Sequence, residues 1–408
     1  MLIWWFIIIS CKAYYVDKFY TPSYNYTNYT NGQIIKTRQI NVKCYAVNID
    51  SPTYQLLVKS ENSFNQPNYI VSTIFKSPKN KKNRILSYQN FEQAADTTCA
   101  CSDGFIYPSI NNLQCQFDLI FISKLLEAGW DVIVPDYEGN QSAFPVGRQA
   151  AHAVLNSLRA GINFLNVESP RVSLLGYAGG GYASLWASIL QPTYAPELNL
   201  VSAAVGGIIS DIKRIIENVN NGPYAGLIVN ILNGLGNEYP QFKEALTKYG
   251  NELKRFCLIP TALHYFKADF FNYYGKKYLE DPVISTIIQD NNLFGKPVPQ
   301  IHIFMFHSKI NELSPFKEAW KLYRYYCDEG VQIEFAEDLS YNHMAEAFSG
   351  LQASLVWLEK SHNNETKQGC NYKIRSSNLF YEFNSTILYN KVKPNITKWK
   401  SKFKYKTD

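Results

Sequence analysis

A glycine-rich segment, RVSLLGYAGGGYASLWA at 171–187, has the pattern of a strand, a tight turn and a helix. In the G-x-S-x-G motif such a turn presents a nucleophilic serine, and glycines flank the serine because side chains there would clash. Gly176 and Gly180 occupy the flanking positions here, but the central position holds Ala178. The turn therefore has the shape that nucleophilic catalysis requires and lacks the nucleophile. A glycine turn that only packs closely is the alternative interpretation.

Alternating strands and helices are predicted on both sides of this turn. Short apolar runs predict strands, and segments with apolar residues three and four apart predict helices. The predicted strands are 68–75, 84–89, 130–136, 171–177, 301–307 and 331–337, and 200–209 is predicted as a strand or a buried segment. The predicted helices are 117–129, 146–165, 180–190, 314–330 and 344–360. This alternation indicates an α/β fold, with a mostly parallel sheet and helices on both of its faces.

The segment 210–297 breaks the alternation, since it is mostly helical with Gly and Asn breaks. An insertion at this point predicts a helical cap over the carboxyl edge of the sheet, where such sheets bind ligands. The predicted core is therefore divided into 14–209 and 298–360. Within the first part, 14–65 is rich in Tyr, Asn and Ser and is expected to be irregular. The remainder, 361–408, is expected to form a tail.

The formal net charge of +6 is concentrated in this predicted tail, which holds nine Lys and one Arg against three acidic residues. The rest of the chain is near neutral, which argues against a nucleic-acid groove through the core. A solvated basic extension is the simpler interpretation of the tail, and a role at an anionic surface is the alternative. No phosphate loop occurs, and Cys99 and Cys101 have no partners at metal-binding spacing, so we expect neither a cofactor nor a metal.

The N-terminal residues MLIWWFIIISCKA form a short apolar run that ends in small residues. This pattern is typical of a signal peptide over 1–13, although no Lys or Arg precedes the run, and a buried N-terminal segment is the alternative. The run is too short to span a bilayer, and no later run of about 18 apolar residues occurs. Six N-x-S/T sequons also favour a secreted glycoprotein. They lie at Asn25, Asn28, Asn140, Asn364, Asn384 and Asn395.

Four segments together resemble a known family. They are ILSYQNFEQAADTTCA, VIVPDYEGNQSAFPVGRQAAHAVLNSLRA, LLGYAGGGYASLWASILQPTYAPELNL and FAEDLSYNHMAEAF. The run DYEG…SAF…GRQ with a GYxGG turn downstream is specific to the secreted lipase family of yeasts. The resemblance covers most of 65–360. It implies an α/β-hydrolase fold with a helical cap, and triacylglycerol hydrolysis in lipid catabolism.

The resemblance places the nucleophile of the family at Ala178. The acid of the family lies in a segment like HGxxDEIVP, and HSKINELSP places it at Asn311. The histidine lies in AEDLSxGH and falls at His343, whereas the Asp of an oxyanion-hole YED segment becomes Gln93. The backbone N–H of Gly179 is the second donor of that hole. Since only the histidine is retained and three separate positions depart from the pattern, we expect natural decay of the site.

Other side chains are candidates to replace the lost groups. Ser173 lies within a predicted strand and Ser184 within a predicted helix, so both are better interpreted as packed polar residues. Glu312 or Asp338 are candidates to orient His343, but each is better interpreted as a capping or solvated carboxylate. Activation of water by His343 alone is a further hypothesis.

Eight cysteines in a secreted chain predict disulfide bonds, and seven are left if Cys11 is removed with the signal peptide. The sequence does not determine the connectivity. The resemblance implies one bond between Cys99 and Cys257 and another between Cys327 and Cys370. Three cysteines, an odd number, are then left over: Cys44, Cys101 and Cys115.

The sequence thus predicts a secreted lipase-like protein with impaired ester hydrolysis and a pocket for a lipid or fatty acyl ligand. Loss of the serine alone removes about six orders of magnitude of turnover in a well-studied protease. The apolar run GLIVNILNGLG at 226–236 motivates lipid binding, although ordinary packing of the cap is an equally good interpretation. The alternatives are an active lipase with another nucleophile and a non-catalytic glycosylated interaction protein.

Overall fold

The computed structural model describes residues 17–22, 25–80 and 84–381. The strands are β1 (Ile34–Ile40), β2 (Thr53–Glu61), β3 (Pro67–Phe75), β4 (Arg84–Gln89), β5 (Asp131–Pro135), β6 (Arg171–Tyr177), β7 (Leu200–Gly206), β8 (His302–Ser308), β9 (Ile333–Asp338) and β10 (Cys370–Arg375). They form one sheet in the order β1-β2-β3-β5-β4-β6-β7-β8-β9-β10. Strands β1, β2, β3 and β5 pair antiparallel with one another in that order, and all pairs from β5 to β10 are parallel.

Helices connect the parallel strands. They are α1 (Cys101–Gly104), α2 (Leu113–Glu127), α3 (Gly147–Leu165), α4 (Gly179–Tyr194), α5 (Ile212–Val219), α6 (Gly226–Glu238), α7 (Pro240–Thr247), α8 (Leu258–His264), α9 (Phe270–Tyr274), α10 (Pro282–Asp290), α11 (Phe316–Asp328) and α12 (His343–His362).

The sheet is covered on both faces, as the sequence predicts. Helices α3 and α4 contribute Leu158 and Leu185 to one buried apolar cluster, together with Leu174 of β6. Helices α2 and α12 contribute to a second cluster, which includes Ile122 and Leu358. Strands in a parallel sheet that is covered on both faces must be apolar along their whole length, which explains the short apolar runs in the sequence.

The structure differs from the sequence prediction near both edges of the sheet. Strands β1 and β2 lie within 14–65, where we expect irregular structure, and β10 lies within the predicted tail. The sequence of β10, CNYKIR, alternates between half-buried and exposed residues along the edge. Charged residues on an edge strand limit pairing with other chains, and they also remove the apolar run that signals a strand. The sheet therefore continues past residue 360, the expected end of the core.

Six helices, α5 to α10, lie between β7 and β8 within the segment expected to form a cap. Asn230 Nδ2 of α6 donates to the carbonyl oxygen of Gln93 at 2.8 Å. Gly234 lies against the backbone of Phe144, where an added Cβ would come within 1.9 Å of the carbonyl oxygen. The helical segment thus packs closely on the loops that follow β4 and β5, while the exact domain boundaries stay a prediction.

Three disulfide bonds link the described residues, and Cys44 is the free cysteine among them. Two have the pairing that the resemblance implies, and the third joins two of the three cysteines that the resemblance leaves over. The bonds are Cys99–Cys257, Cys327–Cys370 and Cys101–Cys115. They attach the loop after β4 to the helical segment, α11 to the edge strand β10, and α1 to the first turn of α2.

Within the described parts of the chain, no helix is both long and apolar enough to cross a bilayer. The predicted signal peptide, 1–13, and the sequons at Asn384 and Asn395 lie outside the described residues. The other four sequon asparagines are exposed or, in the last case, half-buried: Asn25, Asn28, Asn364 and Asn140. Glycosylation at these positions stays a prediction.

We expect loss of the Cys99–Cys257 bond to lower the free energy of unfolding more than loss of the Cys101–Cys115 bond. The sequence separations are 158 and 14 residues, and chain entropy gives about 5 and about 3 kcal/mol for loops of these lengths. Urea unfolding of the variants Cys99→Ala/Cys257→Ala and Cys101→Ala/Cys115→Ala measures both losses. An equal or smaller loss for the longer loop would contradict the expectation.

Candidate active site

The glycine turn holds Ala178 in a backbone conformation that side-chain-bearing residues rarely adopt, with φ 51° and ψ −115°. Ala178 follows β6, precedes α4, and donates its N–H to the carbonyl oxygen of Gly206 at 2.9 Å. A Cβ on Gly176 would come within 2.2 Å of the Gly180 carbonyl oxygen, and one on Gly180 within 2.0 Å of that of Gln89. The turn therefore has the geometry of a nucleophile elbow, with a methyl group where a nucleophile would stand.

The two serines considered as substitutes make contacts elsewhere. Ser173 Oγ lies 2.9 Å from Ser202 Oγ inside the sheet. Ser184 Oγ donates to the carbonyl oxygen of Gly180 at 2.8 Å, one turn earlier in α4. Both serines are buried, so they are packed polar residues and do not replace the missing hydroxyl at Ala178.

Asn311 contacts His343 at the position that the resemblance assigns to the acid. Its Nδ2 lies 2.9 Å from His343 Nδ1, and its Oδ1 lies 3.2 Å from the same atom. That Oδ1 also accepts the backbone N–H groups of Leu313 at 3.0 Å and Ser314 at 2.8 Å. Because two backbone donors fix Oδ1 as an acceptor, the shorter contact is a hydrogen bond from Asn311 Nδ2 to His343 Nδ1.

This hydrogen bond determines which nitrogen of His343 carries the proton. Since Nδ1 accepts, the neutral ring is protonated at Nε2. Burial, with a smaller contribution from His307, lowers the pKa of His343 to about 3, so the ring is neutral above that pH. A triad histidine instead needs a protonated Nδ1 and an unprotonated Nε2 to act as a general base. His343 therefore offers a hydrogen-bond donor where catalysis needs a proton acceptor.

The neighbouring carboxylates bind backbone groups. Glu312 accepts the backbone N–H of His343 at 2.8 Å and so caps the start of α12. Asp338 accepts the N–H groups of Ser340 at 2.8 Å and Asn378 at 2.7 Å, which ties the end of β9 to the C-terminal segment. Both are capping residues, which is the interpretation that the sequence favours.

Gln93 and Gly179 lie side by side at the turn. Gly179 is the first residue of α4, so its N–H is one of the donors that have no partner within the helix. A Cβ on Gly179 would lie 2.8 Å from Gln93 Cγ. Burial and the neighbouring Glu92 raise the pKa of Glu138, whereas the N–H groups of Ala94 and Gln93 lower it. The Gln93 N–H thus points in part towards the Glu138 carboxyl group. The N–H of Gly179 is therefore the more available donor for a ligand oxygen at the turn.

The turn and the imidazole open onto one cavity of about 240 Å³, whose wall includes Gln93, Ala178 and His343. Most of the remaining wall is apolar and comes from the helical segment and from α12. Leu227 is the residue of the apolar run 226–236 that lines this cavity, so most of that run serves ordinary core packing.

Gln114 and Phe117 also line the cavity, although neither is among the predicted site residues. The predicted helix starts at 117, whereas α2 starts at Leu113. Asn112 precedes α2 and is of a type that is favoured at helix N-termini, so it is the signal that would have extended the helix. The earlier start brings Gln114 onto the first turn of α2, beside the cavity.

Known proteins of similar sequence support the resemblance to lipases. Residues 107–369 match the model of a family described as secretory lipase. Lipase 7 of Candida albicans is 45% identical over 375 residues, which cover 90% of this chain and 88% of that protein. Lipase 2 of the same organism is 37% identical over 401 residues, 90% of this chain and 84% of that protein.

Solved structures give the same result for the fold. The X-ray structure of Candida antarctica lipase A has a TM-score of 0.82 and 27% sequence identity, and covers 88% of this chain and 89% of that chain. Its closed state has a TM-score of 0.81 and covers 87% of each chain. Together with the ten-stranded sheet, these matches confirm the predicted α/β-hydrolase fold.

We expect the ¹⁵N chemical shifts of His343 to be those of a neutral ring protonated at Nε2 from pH 5 to 8, because its pKa of about 3 lies below this range. In Asn311→Asp, the carboxylate accepts the proton of Nδ1 and stabilises the imidazolium, so the pKa rises. NMR of ¹⁵N-histidine-labelled protein measures both, and His343→Gln assigns the signal among six histidines. A native ring protonated at Nδ1 would refute the assigned orientation of Asn311.

Proposed function

Because this chain belongs to the secretory lipase family, we propose that it is a secreted, catalytically impaired member that binds an acyl chain without cleaving an ester. The observation that carries the proposal is Ala178 at the centre of an otherwise intact nucleophile elbow. An alanine methyl group neither attacks a carbonyl carbon nor holds an acyl group, so the covalent step of ester hydrolysis has no acceptor.

The histidine that would act as general base is also altered. Direct attack by water would need a base near the turn, and His343 has its proton on Nε2 through its contact with Asn311. The ring donates hydrogen bonds at neutral pH and has little tendency to accept a proton, since its pKa is lowered to about 3. Both the nucleophile and the general base are therefore absent from their positions.

The cavity supports binding of an acyl chain. Leu227, Leu258, Ile259 and Ala347 contribute apolar surface to its wall. The N–H of Gly179 lies beside the turn, and the protonated Nε2 of His343 offers a second donor, which together suit a carbonyl oxygen. A pocket with apolar walls and few polar groups is the usual form of a small-molecule site.

An active lipase with another nucleophile is the competing function. Among the described residues that line the cavity, no Ser, Thr or Cys is present. Ser173 and Ser184, the candidates from the sequence, are bound elsewhere. This composition favours the impaired enzyme over the active one.

Secretion is supported by two observations. The matching family is described as secretory, and the described residues contain three disulfide bonds, which form and persist in oxidising compartments. The apolar N-terminal run has the pattern of a signal peptide.

We expect the native chain to hydrolyse 4-nitrophenyl octanoate no faster than its His343→Ala variant. The Ala178→Ser/Asn311→Asp double variant should gain about three orders of magnitude or more in rate, because it restores the nucleophile and the tautomer of the histidine. Initial rates of the three purified proteins measure this. A native rate that falls with His343→Ala would show an active enzyme and sink the proposal.

We also expect Ala262→Trp to weaken binding of a fluorescent fatty acid about tenfold or more, because Ala262 lines the cavity of about 240 Å³ and the indole would fill much of it. Thr286→Trp is the matched control, since this exposed residue lies on α10 outside the cavity wall. Fluorescence titration gives both affinities. Equal binding by the two variants would place the ligand elsewhere, and no binding by the native chain would favour the interaction-protein alternative.

A further inference from the structure

We propose that the ligand of this cavity is a free aliphatic carboxylic acid in its protonated form, and that the side-chain amide of Gln114 pairs with its carboxyl group. This inference rests on the proposed acyl-binding function and names the class of ligand. It depends on a residue outside the inherited catalytic positions.

Gln114 is a buried polar residue without a protein partner. The residue is 2% exposed, it lines the cavity, and neither Oε1 nor Nε2 has a hydrogen-bond partner in the described chain. Leaving both atoms of a buried amide unpaired is unfavourable. A ligand with a complementary donor and acceptor removes that penalty.

The position of Gln114 is fixed by its neighbours on α2. Cys115 is bonded to Cys101. Gln116 Nε2 donates to the carbonyl oxygens of Lys43 at 3.1 Å and Gly104 at 3.3 Å. The first turn of α2 is therefore anchored by the two residues that follow Gln114, so its backbone is held at the wall and its amide is not used by the fold. Both amide atoms are closed to water in the free chain, so pairing with a ligand requires the side chain to turn towards the cavity.

The chemistry of the amide selects among acyl ligands. An amide offers one acceptor, Oε1, and donors on Nε2. A protonated carboxyl group offers an O–H donor and a carbonyl acceptor on one carbon, so the two groups form a pair of parallel hydrogen bonds. An ester has no O–H donor and an alcohol has no carbonyl, and either leaves one amide atom unpaired. The donors at the glycine turn do not discriminate between these ligands. The N–H of Gly179 and the Nε2–H of His343 donate to a carbonyl oxygen, which esters and acids both have.

The electrostatics of the wall favour the protonated acid over the carboxylate. No Lys or Arg is among the described lining residues, and burial of an unpaired carboxylate is costly. The titratable groups that face the cavity are His343 from α12, Tyr177 at the end of β6 and Tyr224 before α6. Burial lowers the pKa of His343 and raises the pKa of both tyrosines, so all three are neutral near pH 7. Glu312, which contacts the backbone N–H of His343, would repel an anion.

Isothermal titration of the full chain with octanoic acid, methyl octanoate and 1-octanol tests the proposal between pH 4.5 and 7.5. An eight-carbon chain suits a cavity smaller than the roughly 300–1,000 Å³ of drug-sized sites. We expect the acid to bind most tightly at low pH, and its affinity to fall about tenfold per pH unit above the pKa of the ligand. The ester and alcohol affinities should not change with pH. Acid affinity that is constant or rises with pH would overturn the proposal, because it would show that the carboxylate binds.

The Gln114→Met variant separates recognition from structure. Methionine has a similar length and no amide, so octanoic acid loses two hydrogen bonds and methyl octanoate at most one. We expect octanoic acid to lose about tenfold or more in affinity and methyl octanoate to lose clearly less. The thermal midpoint should not fall, since an unpaired buried amide is replaced by an apolar group. A parallel loss for acid and ester, or a lower midpoint with unchanged acid binding, would show that Gln114 only shapes the wall. If no ligand binds the native chain, the acyl-binding function itself fails, whereas tighter ester binding refutes only the choice of an acid.

Discussion

The close approach of β6 and α4 at the glycine turn is the constraint on which the rest of the site depends. The backbones of Gly176 and Gly180 pack so tightly that only hydrogen fits at their Cα atoms. Ala178 is thereby forced into a strained conformation, which persists only because the surrounding structure determines it. The strain is usually part of a catalytic mechanism, yet here no nucleophile uses it. The turn is therefore kept by the packing of strand, helix and neighbouring β4, and the cavity above it keeps its shape for the same reason.

The amide of Asn311, at the position where the resemblance places an acid, decides the chemistry of His343. Asn311 and an aspartate have nearly the same shape, and both present an oxygen to the N–H groups of Leu313 and Ser314. The second terminal atom differs, since an amide nitrogen donates where a carboxylate oxygen accepts. That difference moves the proton of His343 from Nδ1 to Nε2 and turns a base into a donor. A histidine at the position that the resemblance assigns to the base thus carries no information on activity until its partner is known.

Much of the fold follows from the sequence, because buried parallel strands require uninterrupted apolar runs such as those of β5 and β6. The elbow was also predictable, because close packing requires glycine at positions 176 and 180, and these glycines form a recognisable sequence motif. The edge strand β10 was not, because its alternating exposure and charge remove the apolar signal. The position of Gln114 was also missed. A cavity wall is assembled from residues distant in the chain, and no local pattern marks a polar side chain that lacks a partner.

The strain at Ala178 and the unpaired amide of Gln114 are both unfavourable, and they differ in what explains them. The strain at Ala178 is accounted for by the fold, because any residue at that position must adopt the conformation imposed by the turn. The unpaired amide of Gln114 has no such explanation, since the anchoring of α2 uses Cys115 and Gln116 and would be satisfied by an apolar residue at 114. A chain free of any ligand would be more stable with methionine or leucine there. Packing alone does not explain this amide, and a bound ligand is the explanation that we propose for it.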